Sequence, residues 1–292
     1  MARVGSGDFI YEHIQDFPKL SPGMSFGQIP SVATDSKDRL YVFQRSAVPT
    51  LVFDRDGNYL SAWGSGIITD PHGLTIVDDI AYTTDRKDSV AVIFTLDGKP
   101  LQVIGKRGVH SDTGCEKPGE LVLRAAGPFN YPTEMAPSPL GDLYVSDGYR
   151  NARVHRFSSD GRLIKSWGQP GKSAPGEFHL SHSVLVSADG KVYVGDRGNK
   201  RVQIFTPDGD FLGMWTAPSG PNHVARGNDG LFYIAEQQAG DVPGFICIRD
   251  EAGKILARFA TRHAHGICVD SRGDIYTGST SDCSVDKFVR IG

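Results

Sequence analysis

The feature that most constrains this chain is a unit of about forty residues that recurs along it. The unit is clearest from Leu180 to Trp215, where four short strand signals follow one another: Ser183 to Val186, Val192 to Gly195, Arg201 to Thr206 and Phe211 to Trp215. Ala188-Asp189-Gly190 and Pro207-Asp208-Gly209 supply turns between them, because Asp and Gly tolerate the backbone angles of tight turns. Further copies run from Gln28 to Gly64, Asp70 to Gly105, Tyr131 to Gly168 and Pro221 to Phe259, and a last one begins at His263. Each carries a tyrosine in its second strand: Tyr41, Tyr82, Tyr144, Tyr193, Tyr233 and Tyr276.

Repeated four-stranded antiparallel units of this size predict an all-β, six-bladed β-propeller, a single domain over residues 1–292. The sixth copy ends before any fourth strand, and Phe9 to Ile14 has the pattern to supply it, so the N-terminal strand is expected to close the ring and hide its edges. The stretch from about 106 to 130, rich in Gly, Ser and charge, reads as a loop insertion on one rim.

Composition excludes several function classes. Lys+Arg of 31 against Asp+Glu of 34, with no long run of either sign, does not suit nucleic acid or an anionic membrane as partner. No window approaches the 18 or so apolar residues of a membrane span, and the first residues have no apolar signal core, so a cytoplasmic protein is expected. Cys115, Cys247, Cys268 and Cys283 lack zinc-finger spacing and are read as free thiols. The partner expected is a small-molecule substrate; the oligomeric state is open.

A propeller places its ligands around the central channel, at the loop leading into each innermost strand. Copy by copy that slot holds Ser31, His72, Thr133, His182, Asn222 and His265. Histidine therefore alternates around the ring, in similar settings: Pro71-His72-Gly73-Leu74, Ser181-His182-Ser183-Val184 and Ala264-His265-Gly266-Ile267. Three neutral imidazoles with an open outer position are the donor set of a catalytic zinc site, although iron, cobalt and manganese also accept imidazole. His223 and Glu134 each lie one residue past a slot. His223 reads first as an ordinary loop histidine and second as a channel-facing group near the substrate, and Glu134 equally as ligand, base or hydrogen-bonded carboxylate.

With these residues in view, the chain resembles the propeller domain of peptidyl-α-hydroxyglycine α-amidating lyase, a six-bladed relative of the NHL-repeat proteins. The motifs are Phe43-Gln44-Arg45, Asp70-Pro71-His72-Gly73-Leu74, Ser146-Asp147-Gly148-Tyr149-Arg150-Asn151-Ala152-Arg153, Ser181-His182-Ser183 and His265-Gly266. The resemblance implies a zinc ion on His72, His182 and His265. It also implies catalytic roles for Arg45, as a grip on the substrate carboxylate, and for Tyr149, as general base or as donor to the leaving nitrogen. The implied reaction cleaves a carbinolamide to an amide and glyoxylate.

The sequence departs from that family in ways that bear on substrate and metal. The family's channel calcium uses backbone carbonyls at positions matching Val32 and Leu74 and an aspartate where this chain has Gly266. Its loss argues against calcium unless Glu134 supplies the carboxylate. His263 replaces a methionine and adds a polar group and a candidate proton shuttle, and Arg150 replaces a disulfide cysteine beside Tyr149 and enlarges the anion-binding surface. The expectation is therefore a metal-dependent lyase acting on a small carbinolamide-like metabolite. A metal-dependent hydrolase or lactonase on the same channel, and a non-catalytic NHL-repeat interaction module, are the alternatives.

Overall fold

The computed structural model describes every residue except 1, 21, 116, 218, 238, 239, 241 and 292. The described residues are all-β apart from one short 3-10 turn, Arg197–Asn199, and their main sheets are the blades of a six-bladed β-propeller. Among the described residues no helix is long and apolar enough to cross a membrane. The chain divides into two compact units, residues 1–68 with 222–292, and residues 69–221.

In the first unit, blade one is built from Gln28–Thr34, Leu40–Arg45, Thr50–Phe53 and Tyr59–Trp63, paired in sequence order. Blade five runs through Pro221–Arg226, Phe232–Glu236, Gly244–Arg249 and Ile255–Thr261. Blade six combines Gly266–Val269, Ile275–Gly278 and Val285–Arg290 with the N-terminal strand Phe9–Ile14, which pairs antiparallel through Tyr11–Arg290 and His13–Phe288. The closure expected from the sequence is thus present, with one addition. Ala2–Ser6 folds back on Phe9–Ile14 and makes this blade five-stranded.

In the second unit, blade two comprises Pro71–Val77, Ile80–Asp85, Val90–Thr95 and Pro100–Gly105. Blade three comprises Pro132–Pro137, Leu143–Asp147, Arg153–Phe157 and Leu163–Trp167, and blade four Ser181–Val186, Val192–Asp196, Arg201–Phe205 and Phe211–Thr216. A small parallel pair, Gln169–Pro170 with Glu177–Phe178, lies between blades three and four. Between 106 and 130 the described residues form neither helix nor strand.

The recurring tyrosine has a structural purpose. Five of the six are at most 1% exposed; Tyr82 is half-buried. In blades one, five and six the hydroxyl donates to the hairpin aspartate: Tyr41 to Asp35 (3.1 Å), Tyr233 to Asp229 (2.7 Å) and Tyr276 to Asp270 (3.2 Å). The same carboxylates accept turn N–H groups, Asp35 from Lys37 and Arg39 and Asp270 from Arg272 and Asp274. One ring therefore fills the core while its polar end satisfies the hairpin. All four cysteines are free thiols, and burial pushes Cys247 and Cys268 above the usual thiol range.

Candidate metal centre

The innermost strand of most blades breaks register where the sequence places its slot residue. In blade two the pairing shifts between Pro71 and Leu74, in blade three between Pro132 and Glu134, and in blade four between Ser181 and Ser183. His72, Thr133 and His182 occupy these irregularities. A bulge frees a residue from the ladder and re-aims its side chain, which is how a strand presents a ligand at its end. All six slot residues are buried, at 5% exposure or less.

Within the second unit the two histidines converge on one oxygen. His72 Nε2 lies 3.2 Å, and His182 Nε2 3.0 Å, from the Tyr149 hydroxyl, and the two imidazole rings stand 4.8 Å apart at 76°. The tautomer of His72 follows from its other nitrogen. Nδ1 is 2.7 Å from the carbonyl oxygen of Thr133, which can only accept, so Nδ1 carries the hydrogen and Nε2 presents a lone pair. His182 Nε2 is 2.9 Å from Arg197 Nη1, which can only donate, so it too presents a lone pair. With His182 Nε2 accepting from Arg197, the phenol hydrogen of Tyr149 is left to serve His72 Nε2.

In the first unit His265 is tied in the same manner, its Nδ1 2.8 Å from the carbonyl of Pro30 and its backbone N–H on the carbonyl of Gly278. Its Nε2 therefore carries the ring's lone pair as well. One ligand nitrogen from each of His72, His182 and His265 lies within 4.8 Å of the others, and all three residues are buried. Among the described residues this is the one group of its kind, and it can hold a metal ion.

Tyr149 is 8% exposed and sits in the turn after Leu143–Asp147. The 106–130 insertion holds that turn. Gly119 N–H donates to the Tyr149 carbonyl (2.7 Å), the Thr113 hydroxyl donates to the Arg150 carbonyl, and Arg150 Nε and Nη2 donate to the Cys115 carbonyl (2.9 and 2.7 Å). Two guanidiniums lie over the Tyr149 ring, Arg86 at 5.0 Å and Arg197 at 5.4 Å from its centroid. Arg197 stands in a turn whose preceding Asp196 is buried and bonded to Asn199 and Arg201; burial nonetheless pushes that carboxyl upward.

The remaining sequence candidates have other partners. Arg45, half-buried at the end of its strand in the first unit, donates to Gln28 Oε1 (2.9 Å). Glu134, 3% exposed, accepts from Val184 N–H (3.1 Å) and the Thr75 hydroxyl (3.2 Å), the bonds of a structural carboxylate. His223 Nδ1 accepts from Ile267 N–H (3.1 Å), and His263 Nε2 meets the Thr280 hydroxyl (3.2 Å), with its ring 6.3 Å from that of His265. Val32 and Leu74 are core residues of their strands, 1% exposed. A Cβ at Gly266 would lie 2.6 Å from Ser31 Cα, so the close packing here leaves no room for a side chain.

Comparison with known proteins accords with this architecture. The NHL repeat matches residues 182–205. Human NHL repeat-containing protein 3 is 33% identical over 237 residues, covering 75% of this chain and 64% of the relative. A probable peptidyl-α-hydroxyglycine α-amidating lyase of Caenorhabditis elegans is 26% identical over 247 residues, covering 75% of this chain and 67% of the relative. The chain is a six-bladed β-propeller carrying an NHL repeat, and amidating lyases are among the proteins it is similar to. It spans somewhat under two thirds of the human protein's length. A gluconolactonase structure from Xanthomonas campestris superposes with a TM-score of 0.66 at 13% identity over 91% of this chain and 87% of its own, a likeness of fold.

Of the NHL-repeat residues around Tyr149, sequence reasoning missed Arg86 and Arg197. A signal was present: Asp85-Arg86 and Asp196-Arg197 fall at the same place in the repeat as Gln44-Arg45.

Proposed function

We propose that the chain is a metal-dependent lyase that cleaves the C–N bond of an N-acyl-α-hydroxyglycine-like carbinolamide, giving an amide and glyoxylate. The observation that carries this reading is the Tyr149 hydroxyl placed between the Nε2 atoms of two buried histidines, beneath two guanidiniums. The relatedness to amidating lyases supports it.

His72, His182 and His265 would hold the metal, and an all-imidazole donor set suits zinc. When bound, such an ion supplies Lewis-acid polarisation of a substrate oxygen. The protein's own groups do the rest. Tyr149 is placed to exchange a proton with the substrate: it takes the hydroxyl proton of the carbinol, or it donates to the departing nitrogen. The C–N bond breaks as the C–O bond becomes a carbonyl, the hydroxyl proton ends on the nitrogen, and no water is consumed. The substrate carboxylate calls for a guanidinium. Arg197, adjoining His182, is the one that the geometry of the second unit favours, and Arg45 is the one that the family resemblance assigns.

α-Hydroxyhippurate in ¹⁸O-labelled water tests the reading. A lyase yields benzamide and glyoxylate with no ¹⁸O in the benzamide. Labelled benzoate in place of benzamide would instead mark a hydrolase, the reading that the likeness to a gluconolactonase fold keeps in view. Absence of both products and of bound metal would leave an interaction module.

A further inference from the structure

Beside Tyr149, in the second unit, lies a set of charges that the chemistry above does not use. Guanidiniums and phenol rings alternate. Arg150 Cζ stands 5.0 Å from the centroid of Tyr131, and Arg86 Cζ stands 5.9 Å from Tyr131 and 5.0 Å from Tyr149. The order Arg150, Tyr131, Arg86, Tyr149 thus leads from half-buried side chains to the oxygen shared by His72 and His182.

The charges along it are not equally compensated. Arg86 Nε bonds to Asp70 Oδ2 (2.8 Å). Arg150 spends its Nε and Nη2 on a neutral acceptor, the Cys115 carbonyl, and among the described residues it pairs with no carboxylate. A guanidinium has five N–H donors, so most of its donors remain available. The other acidic groups on these elements are committed: Asp85 to the N–H groups of Thr69 and Asp70, Asp88 to Arg107, Asp112 to Arg124, Glu120 to Lys117, and Asp147 to Asn130, Asn151 and His155.

Tyr131 is itself held in an unusual state. It is a non-glycine residue at φ 63°, with its N–H on Ser89 Oγ (3.2 Å), which in turn meets His110 Nδ1 (2.7 Å). A bulky side chain in the left-handed region persists where its surroundings impose it, and such positions cluster at ligand sites.

We propose that Arg150, Tyr131 and Arg86 form a second anion subsite that binds a carboxylate on the leaving-group side of the substrate, whose planar amide or aryl part lies against Tyr131. The direction, with the reacting end at Tyr149, rests on the lyase reading; the subsite itself does not. It defines the substrate class as dianionic, with one carboxylate at the reacting carbon and one beyond the amide. Arg150 contributes the charge and the planar fork, and the Tyr131 ring contributes stacking.

The test is isothermal titration calorimetry of the intact protein with hippurate and with 4-carboxyhippurate, neither of which has the α-hydroxyl needed to react. The 4-carboxy compound should bind about tenfold more tightly at low salt, the effect of one charge-assisted hydrogen-bonded pair. In Arg150→Gln that ratio should fall to roughly twofold or less, with Arg150→Lys in between. The ratio is the readout because Arg150 also holds the Cys115 carbonyl, and a general weakening affects both ligands. If Arg150→Gln fails to fold, Tyr131→Leu should lower the same ratio. Equal affinities in the unmodified protein, an undiminished ratio in a folded variant, or no binding of either compound would each overturn the subsite. Turnover of α-hydroxyhippurate without the 4-carboxy preference sinks the subsite alone. Preference without turnover sinks the lyase reading alone.

Discussion

Gly73 follows His72, and its replacement by alanine probes how the metal-binding slot is built. A Cβ there would lie 2.5 Å from the Thr133 carbonyl oxygen, 2.7 Å from Glu134 Cα and 3.0 Å from Thr84 Oγ1. The first of these is roughly 1 Å short of ordinary contact, and the two nearest atoms are backbone. They are also pinned, because the Thr133 oxygen accepts from His72 Nδ1 (2.7 Å) and from the Thr84 hydroxyl (2.9 Å). Relief therefore means moving the strand that orients His72. Overpacking of this kind costs about 1–3 kcal/mol. At about 2–4 °C per kcal/mol for chains of this order, Gly73→Ala should lower Tm by roughly 2–12 °C. It should also weaken metal retention, because His72 loses its anchor. Gly213→Ala is the control: Gly213 lies within the strand Phe211–Thr216, a Cβ there would meet nothing within 4 Å, and the change should raise stability by about 0.4–1 kcal/mol through the unfolded chain. Differential scanning calorimetry of the two variants decides the matter. A Gly73→Ala protein that melts within a degree or so of the unmodified one would refute the claim that close approach of blades two and three demands glycine here.

Other perturbations have equally definite outcomes. Tyr149→Phe removes the oxygen between His72 and His182 and should lower kcat by about 10²–10⁴ while metal content stays as it was; retained turnover would remove the proton-transfer role. Burial raises the carboxyl of Asp286, beside the N-terminal closing strand, but hydrogen bonds from His13, Arg262 and the Asp16 N–H and the charge of Arg262 together outweigh it, so the carboxyl sits below the ordinary range. A depressed folded pKa means that its contribution is fully present above the unfolded value of about 4 and is lost as the pH falls through the folded one. Tm of the unmodified protein should therefore fall more steeply below about pH 4 than that of Asp286→Asn, and parallel acid limbs would contradict the linkage.

The blades were legible because their signals are local. Alternating strands, Asp-Gly turns and a tyrosine in each second strand depend on neighbours along the chain, and the hydroxyls of Tyr41, Tyr233 and Tyr276 return to aspartates only four or six residues away. The slot histidines could be read for the same reason, as a property of the repeat. The bulges that aim His72 and His182 could not, since register belongs to a pair of strands and not to one. Arg86 and Arg197 reach Tyr149 through long flexible stems whose direction the pattern does not encode. The extra strand Ala2–Ser6 and the parallel pair Gln169–Pro170 with Glu177–Phe178 lie outside the repeat, where periodicity has nothing to say.

The central claim is that three buried imidazoles hold a metal ion at the reaction centre. Inductively coupled plasma mass spectrometry of protein purified without added metal or chelator, alongside His72→Ala, tests it most directly. About one zinc or similar transition metal ion per chain is expected, lost in a variant that keeps its β-sheet circular dichroism. A folded protein with no stoichiometric metal, or with metal unchanged in His72→Ala, would contradict it.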